Sequence, residues 1–170
     1  MAATVFVLDT NVLVEAHRRY YAFDLVPGFW DALVESARRG VVTSIDRVED
    51  ELQRGGETGK KDALALWAHE HSGDLFSTTD DAGVIACYAE VMAWAAGQPQ
   101  YLDAAKEDFA SGADGWVIAF AKAKGCTVVT LEASSPQSRS RVKIPDVCRG
   151  VRVPFADTFA MLRELGIKLH

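Results

Sequence analysis

Cysteine is scarce: Cys87, Cys126 and Cys148 are odd in number, and none lies in C-x-x-C spacing. A disulfide framework and a structural zinc site are both excluded, and a reducing cytoplasm is the expected setting. No apolar run is long enough to span a bilayer. The first apolar strand begins at residue 5, which leaves no room for a signal peptide. Positive charge is not in excess, since 18 Lys and Arg face 24 Asp and Glu for a net charge of -6. That excludes indiscriminate nucleic-acid binding by a basic surface, though not a local basic patch. His17, His69, His71 and His170 form no Ser/His/Asp arrangement, and His69 and His71, two apart on a helix, do not share a face. Gly55-Gly56 with Gly59 has neither the spacing nor the context of a phosphate-binding loop. Internal repeats and interdomain linkers are also missing. With 49% hydrophobic residues the chain is expected to form one domain over residues 1–170.

What is present is an acid at a strand end. Val5-Phe6-Val7-Leu8 reads as a buried strand, Asp9-Thr10-Asn11 follows, and Val12-Leu13-Val14 continues with helical character. In open parallel α/β sheets that carboxyl edge gathers ligands and catalytic groups. A carboxylate there is a ligand type for Mg²⁺ or Mn²⁺; Asp9, Thr10 and Asn11 are equally good helix caps. Further on, helices are expected over Phe29–Arg39, from Ser44 or Asp46 to Arg54, Lys61–Glu70, Asp81–Ala96, Tyr101–Phe109, Asp114–Lys124 and Phe155–Leu165. Strands are expected at Val41-Val42, Thr127–Leu131 and Val151–Val153, a turn at Arg54–Gly59 and a Ser-rich loop over Ala133–Arg141. This alternation implies a three-layer α/β/α sandwich around a central, mostly parallel sheet of about four to five strands.

Three further acidic positions stand out. Glu49 and Glu51 both flank the apolar stripe of their helix while Asp50 points away, and periodicity does not choose between them. Asp114 opens an almost wholly apolar helix, Asp114–Ala121, where it is a cap, a ligand or both. Val128-Val129-Thr130-Leu131-Glu132 delivers a polar and an acidic residue at the topological level of Asp9. Carboxylates converging at one sheet edge repel unless a cation neutralises them.

The ordered set Leu8-Asp9-Thr10-Asn11-Val12-Leu13, Val48-Glu49-Asp50-Glu51-Leu52, Ala113-Asp114-Gly115-Trp116-Val117-Ile118-Ala119 and Val129-Thr130-Leu131-Glu132 resembles the PIN domain, over nearly the whole chain. More narrowly, Tyr20-Tyr21, Pro27-Gly28-Phe29-Trp30 and Val142–Cys148 resemble a PIN-like subfamily long catalogued as of unknown function. PIN domains are metal-dependent nucleases, many of them toxins of toxin–antitoxin modules. The resemblance implies Asp9, Glu51 and Asp114 as acidic ligands of one or two Mg²⁺ or Mn²⁺ ions; it favours Glu51 over Glu49 because an acid followed by Leu is the family's usual form. Asn11, through its amide, and Thr130, through its hydroxyl, are the implied supports. Glu132 falls where many members carry aspartate, and its extra methylene suits contact through water.

The implied activity is hydrolysis of RNA phosphodiester bonds by an endoribonuclease, with RNA, an antitoxin protein and a second copy of the chain as partners and no membrane. Arg139, Arg141 and Lys143 follow Glu132 and are either phosphate contacts or part of a solvated loop, and Arg149 and Arg152 come next. Tyr20, Tyr21, Phe23 and Trp30 are either stacking surfaces for bases or anchors to the core. Two other readings remain open. One is a catalytically silent PIN-like module that binds RNA or protein. The other is a metal-dependent phosphohydrolase of another α/β class, against which the segment after Asp9 lacks a second aspartate two residues on.

Overall fold

A computed structural model describes residues 2–55 and 62–170. The chain runs β1 Phe6–Leu8, α1 Thr10–Glu15 extended by a wide π turn at Ala16–Tyr20, α2 Pro27–Arg38, β2 Val42–Ile45 and α3 Asp46–Arg54. It continues α4 Ala63–Glu70, α5 Ser72–Leu75, β3 Phe76–Ser77, α6 Ala82–Ala96, α7 Asp103–Ser111 and α8 Asp114–Lys124. β4 Thr127–Val129, α9 Ile144–Val151, β5 Phe155–Ala156 and α10 Thr158–Glu164 complete it.

The five strands form one parallel sheet in the order β3-β2-β1-β4-β5. β1 lies at its centre, with Phe6 opposite Val42 on one side and Thr127 on the other, and Leu8 opposite Val129. All three β1 residues are buried, as a central parallel strand requires. From β1 the chain winds outward through β2 and β3, then returns to the far side of β1 for β4 and β5. The order therefore reverses between β1 and β4, and a crevice opens at the carboxyl ends of those two strands.

Two groups of helices flank the sheet. α8 packs against α6, α9 and strands β1, β2 and β4, while α1 to α5 cluster with one another and with β2. Gly115 lets α8 approach α6 closely, because a Cβ there would collide with Met92 of α6. Gly125, at φ +72°, ends α8 in the left-handed conformation. Arg152 does the same for α9 at φ 61°.

Several elements differ from expectation. β3 and α5 are too short to carry a periodic signal. Val151 ends α9, and Arg152 and Val153 leave it without forming a strand: Ile144, Val147, Cys148 and Val151 share one buried face, and Pro145 sits in the first turn. The expected last helix loses its first three residues. Phe155–Ala156 pairs with β4, and Asp157 caps the helix by accepting the Ala160 N–H at 2.7 Å. The turn expected at Arg54–Gly59 and the start of the helix at Lys61 lie mostly outside the described residues.

Candidate active site

Four acids meet at the crevice, each delivered by a different element. Asp9 leaves β1 in extended conformation and caps α1, its Oδ1 accepting the Val12 N–H at 3.2 Å and its Oδ2 the Thr130 hydroxyl at 2.8 Å. It is 1% exposed, and burial pushes its carboxyl up to about 6 in spite of these donors. Thr130, just beyond β4, turns its hydroxyl to Asp9 while that oxygen accepts the Glu132 N–H at 3.1 Å. One side chain thus sets the spacing between two acids.

Glu51 projects from α3. Its Oε2 accepts the Thr10 hydroxyl at 2.6 Å and its Oε1 the Ala113 N–H at 2.8 Å, so it ties α1, α3 and the entry to α8 together. Glu49 turns instead to the Ser72 hydroxyl at 2.8 Å. The two glutamates that periodicity left equivalent are separated by these contacts. Only Glu51 joins the crevice.

Asp114 is the first residue of α8, whose N-cap is Ala113, so its carboxylate makes no capping bond. Among the described residues nothing donates a hydrogen bond to it. Burial first, then the charges of Asp9, Glu132 and Glu51, push it up to about 7, against a smaller opposing pull from Arg141.

Glu132 lies past the end of β4. Its Oε2 accepts the Ile144 N–H at 2.7 Å at the start of α9, and its Oε1 lies 3.7 Å from Arg141 Nη2. Three of the four acids therefore stand at the positive ends of α1, α8 and α9. That placement makes the cluster tolerable.

The remaining candidates divide. Asn11 is exposed on the first turn of α1, and only its backbone N–H reaches Asp9. Arg141 faces the acids, Arg139 is exposed with its carbonyl accepting the Leu102 N–H at 2.9 Å, and Lys143 supplies the N-cap of α9. Tyr21 stacks on Phe29 at 4.2 Å, and Phe23 packs on Trp30 at 4.4 Å. These three of the four aromatics anchor the core. Tyr20, 58% exposed, borders a hollow of about 360 Å³ with Phe159, Leu131, Thr130 and Glu132, which Tyr21 also lines. Thr10 had been noted only as a helix cap; its contact with Glu51 spans 41 residues and leaves no local sequence signal.

The donors around the crevice are hard carboxylate oxygens, the type that suits Mg²⁺ or Mn²⁺. Among the described residues no three His, Cys, Asp or Glu side chains close around a single point. Asp9, Glu51 and Glu132 all accept hydrogen bonds, Asp114 accepts none among the described residues, and Asp9 and Asp114 carry the raised carboxyls. The set fits a cation that keeps most of its waters and takes only one or two protein carboxylates.

The chain belongs to the family described as a domain of unknown function, DUF4411, which matches residues 6–169. No curated protein matches it. Among solved structures it is similar to a chain of VapBC2 from Rickettsia felis, bound in that crystal to a DNA fragment from its promoter, at 16% identity and TM-score 0.57, covering 91% of this chain and 98% of that one. It is also similar to a chain of FitAcB from Neisseria gonorrhoeae, at 22% identity and TM-score 0.53, covering 89% and 96%. The parallel α/β fold is that of a PIN domain, as the sequence resemblance implied. No described helix is long and apolar enough to cross a membrane.

Proposed function

We propose that this protein is a Mg²⁺- or Mn²⁺-dependent endoribonuclease acting as the toxin of a toxin–antitoxin pair. The observation that carries the reading is Asp114, a half-buried carboxylate with no donor among the described residues that faces Asp9, Glu51 and Glu132. Such a group is stable in its charged form only with a cation from outside. Asp9 and Asp114 would hold the ion, with Glu51 and Glu132 contributing through water. When bound, the ion acts as a Lewis acid on the phosphodiester and lowers the pKa of its water.

The chain's own residues do the rest. Thr130 fixes the rotamer of Asp9, Thr10 and the Ala113 N–H fix Glu51, and the start of α9 fixes Glu132. Arg141, the one cation paired with a site acid among the described residues, is placed to exchange Glu132 for a substrate phosphate. The similarity to chains of VapBC2 and FitAcB supports the toxin assignment and an antitoxin as partner.

The test is cleavage of single-stranded RNA by purified protein with Mg²⁺, with Mn²⁺ and with chelator. Metal-dependent cleavage that disappears in Asp9→Asn supports the reading. Cleavage that survives chelation, or that Asp9→Asn retains in full, overturns it.

A further inference from the structure

A second, polar hollow lies on the other side of Glu51. It encloses about 220 Å³ between α3 and the start of α8, and Arg47, Arg54, Asp50, Glu51, Tyr88 and Trp116 contribute to its wall. It shares Glu51 and Ala113 with the acidic crevice, so the two sites are adjacent.

Its chemistry differs from that of the crevice. The Arg47 guanidinium lies over Trp116, 4.0 Å from the ring centroid, and Tyr88 stacks on the same indole at 3.7 Å and 6°. Arg47 Nε donates to the Thr79 hydroxyl at 3.2 Å, which leaves both Nη groups without a partner among the described residues. Among the described residues Arg54 is held only by its Nε, which donates to the Asp50 carbonyl at 3.2 Å. Both indole faces are covered, so no base can stack there. Glu51 spends its oxygens on Thr10 and Ala113, and Asp50 alone adds exposed negative charge. A guanidinium pinned by stacking and one hydrogen bond is pre-organised for bidentate contact with a phosphate. In a chain of net charge -6, two arginines that have no acidic partner among the described residues, beside an acidic crevice, set up a local attraction for a polyanion.

We infer that this hollow is a backbone-phosphate subsite for RNA, held by Arg47 and Arg54, which seats a nucleotide neighbouring the one at the acidic crevice. This rests on the ribonuclease reading for the identity of the strand.

The experiment is binding of a fluorescent single-stranded oligouridylate, without metal and with chelator, across a salt series. Wild-type protein is compared with Arg47→Met/Arg54→Met, which keeps the apolar packing on Trp116. A control, Arg39→Met/Lys168→Met, removes the same charge from exposed positions elsewhere. Losing two phosphate contacts lowers the salt slope by about 1.4, and affinity at low salt falls about tenfold. The control keeps the wild-type slope, and thermal melts of all three coincide. An unchanged slope in the arginine variant, or an equal fall in the control, overturns the subsite, as does wild-type protein that binds no RNA. Cleavage by wild-type protein is measured separately with Mg²⁺ and Mn²⁺. Absent cleavage with a lowered slope removes the catalytic reading and keeps the subsite; active enzyme with an unchanged slope removes only the subsite.

Discussion

Two aspartates at the starts of neighbouring helices, one buried and one half-buried, live in opposite circumstances. Asp146, 7% exposed in α9, accepts the Ser134 hydroxyl and, at 2.9 Å, the Ser135 N–H, and so pins the Ser-rich loop to the helix. Asp114, half-buried at the start of α8, receives no donor among the described residues and looks out on three other carboxylates. The first is a satisfied acid whose work is mechanical. The second is left wanting a positive partner, and in a folded protein that condition is tolerated where a ligand completes it.

The sharpest break between them is catalytic. Asp114→Asn is expected to cut metal-dependent RNA cleavage by about 100-fold or more. Asp146→Asn should leave it within a few-fold while lowering the melting temperature. Comparable losses of cleavage in both variants would erase the distinction.

Next comes pH. The carboxyls of Asp9 and Asp114 are raised from 3.8 to about 6 and about 7, so the folded metal-free protein binds protons more tightly than the unfolded chain. Ionising them costs the fold. That cost is absent below about pH 4, grows as pH rises and is complete above about pH 8, where it reaches about 3 kcal/mol for Asp9 alone. Denaturant melts with chelator should show metal-free stability falling across this window in wild type and falling less in Asp9→Asn. A flat wild-type profile would contradict the raised values.

Metal addition should reverse the loss. An ion at about 100 times its Kd that binds only the folded state adds roughly 2.7 kcal/mol. Calorimetry should record the full rise in melting temperature for Asp146→Asn and a smaller one for Asp114→Asn. The smallest effect concerns the backbone. Arg152 is exposed and left-handed at φ 61°, so Arg152→Gly should stabilise by about 0.5 kcal/mol at any pH, with or without metal.

The sequence announced the acids better than their surroundings. Asp9 was legible because a buried strand ends in it, and Asp114 because an apolar helix begins with it. Glu51 was separable from Glu49 only through resemblance, since both flank one stripe; the contacts that part them, to Thr10, Ala113 and Ser72, are 41, 62 and 23 residues away. β3 and β5, two residues each, lie below the length at which alternation can be seen. α9 was hidden because a Val-Arg-Val ending imitates a strand, although Pro145 and the spacing of Ile144, Val147, Cys148 and Val151 carry the helical pattern. The arginine hollow left no trace, because its stacking partners come from α3, α6 and α8.

The central place of β1 also sets an order of assembly. Asp9 emerges from the ribosome 121 residues ahead of Thr130, whose hydroxyl orients it. At about 5–20 residues per second, a growing chain spends several seconds with its first acid made and its partner not yet synthesised. β4 cannot dock beside β1 until then. An unfinished chain therefore carries no assembled crevice, having neither Glu132 nor the hydroxyl that orients Asp9.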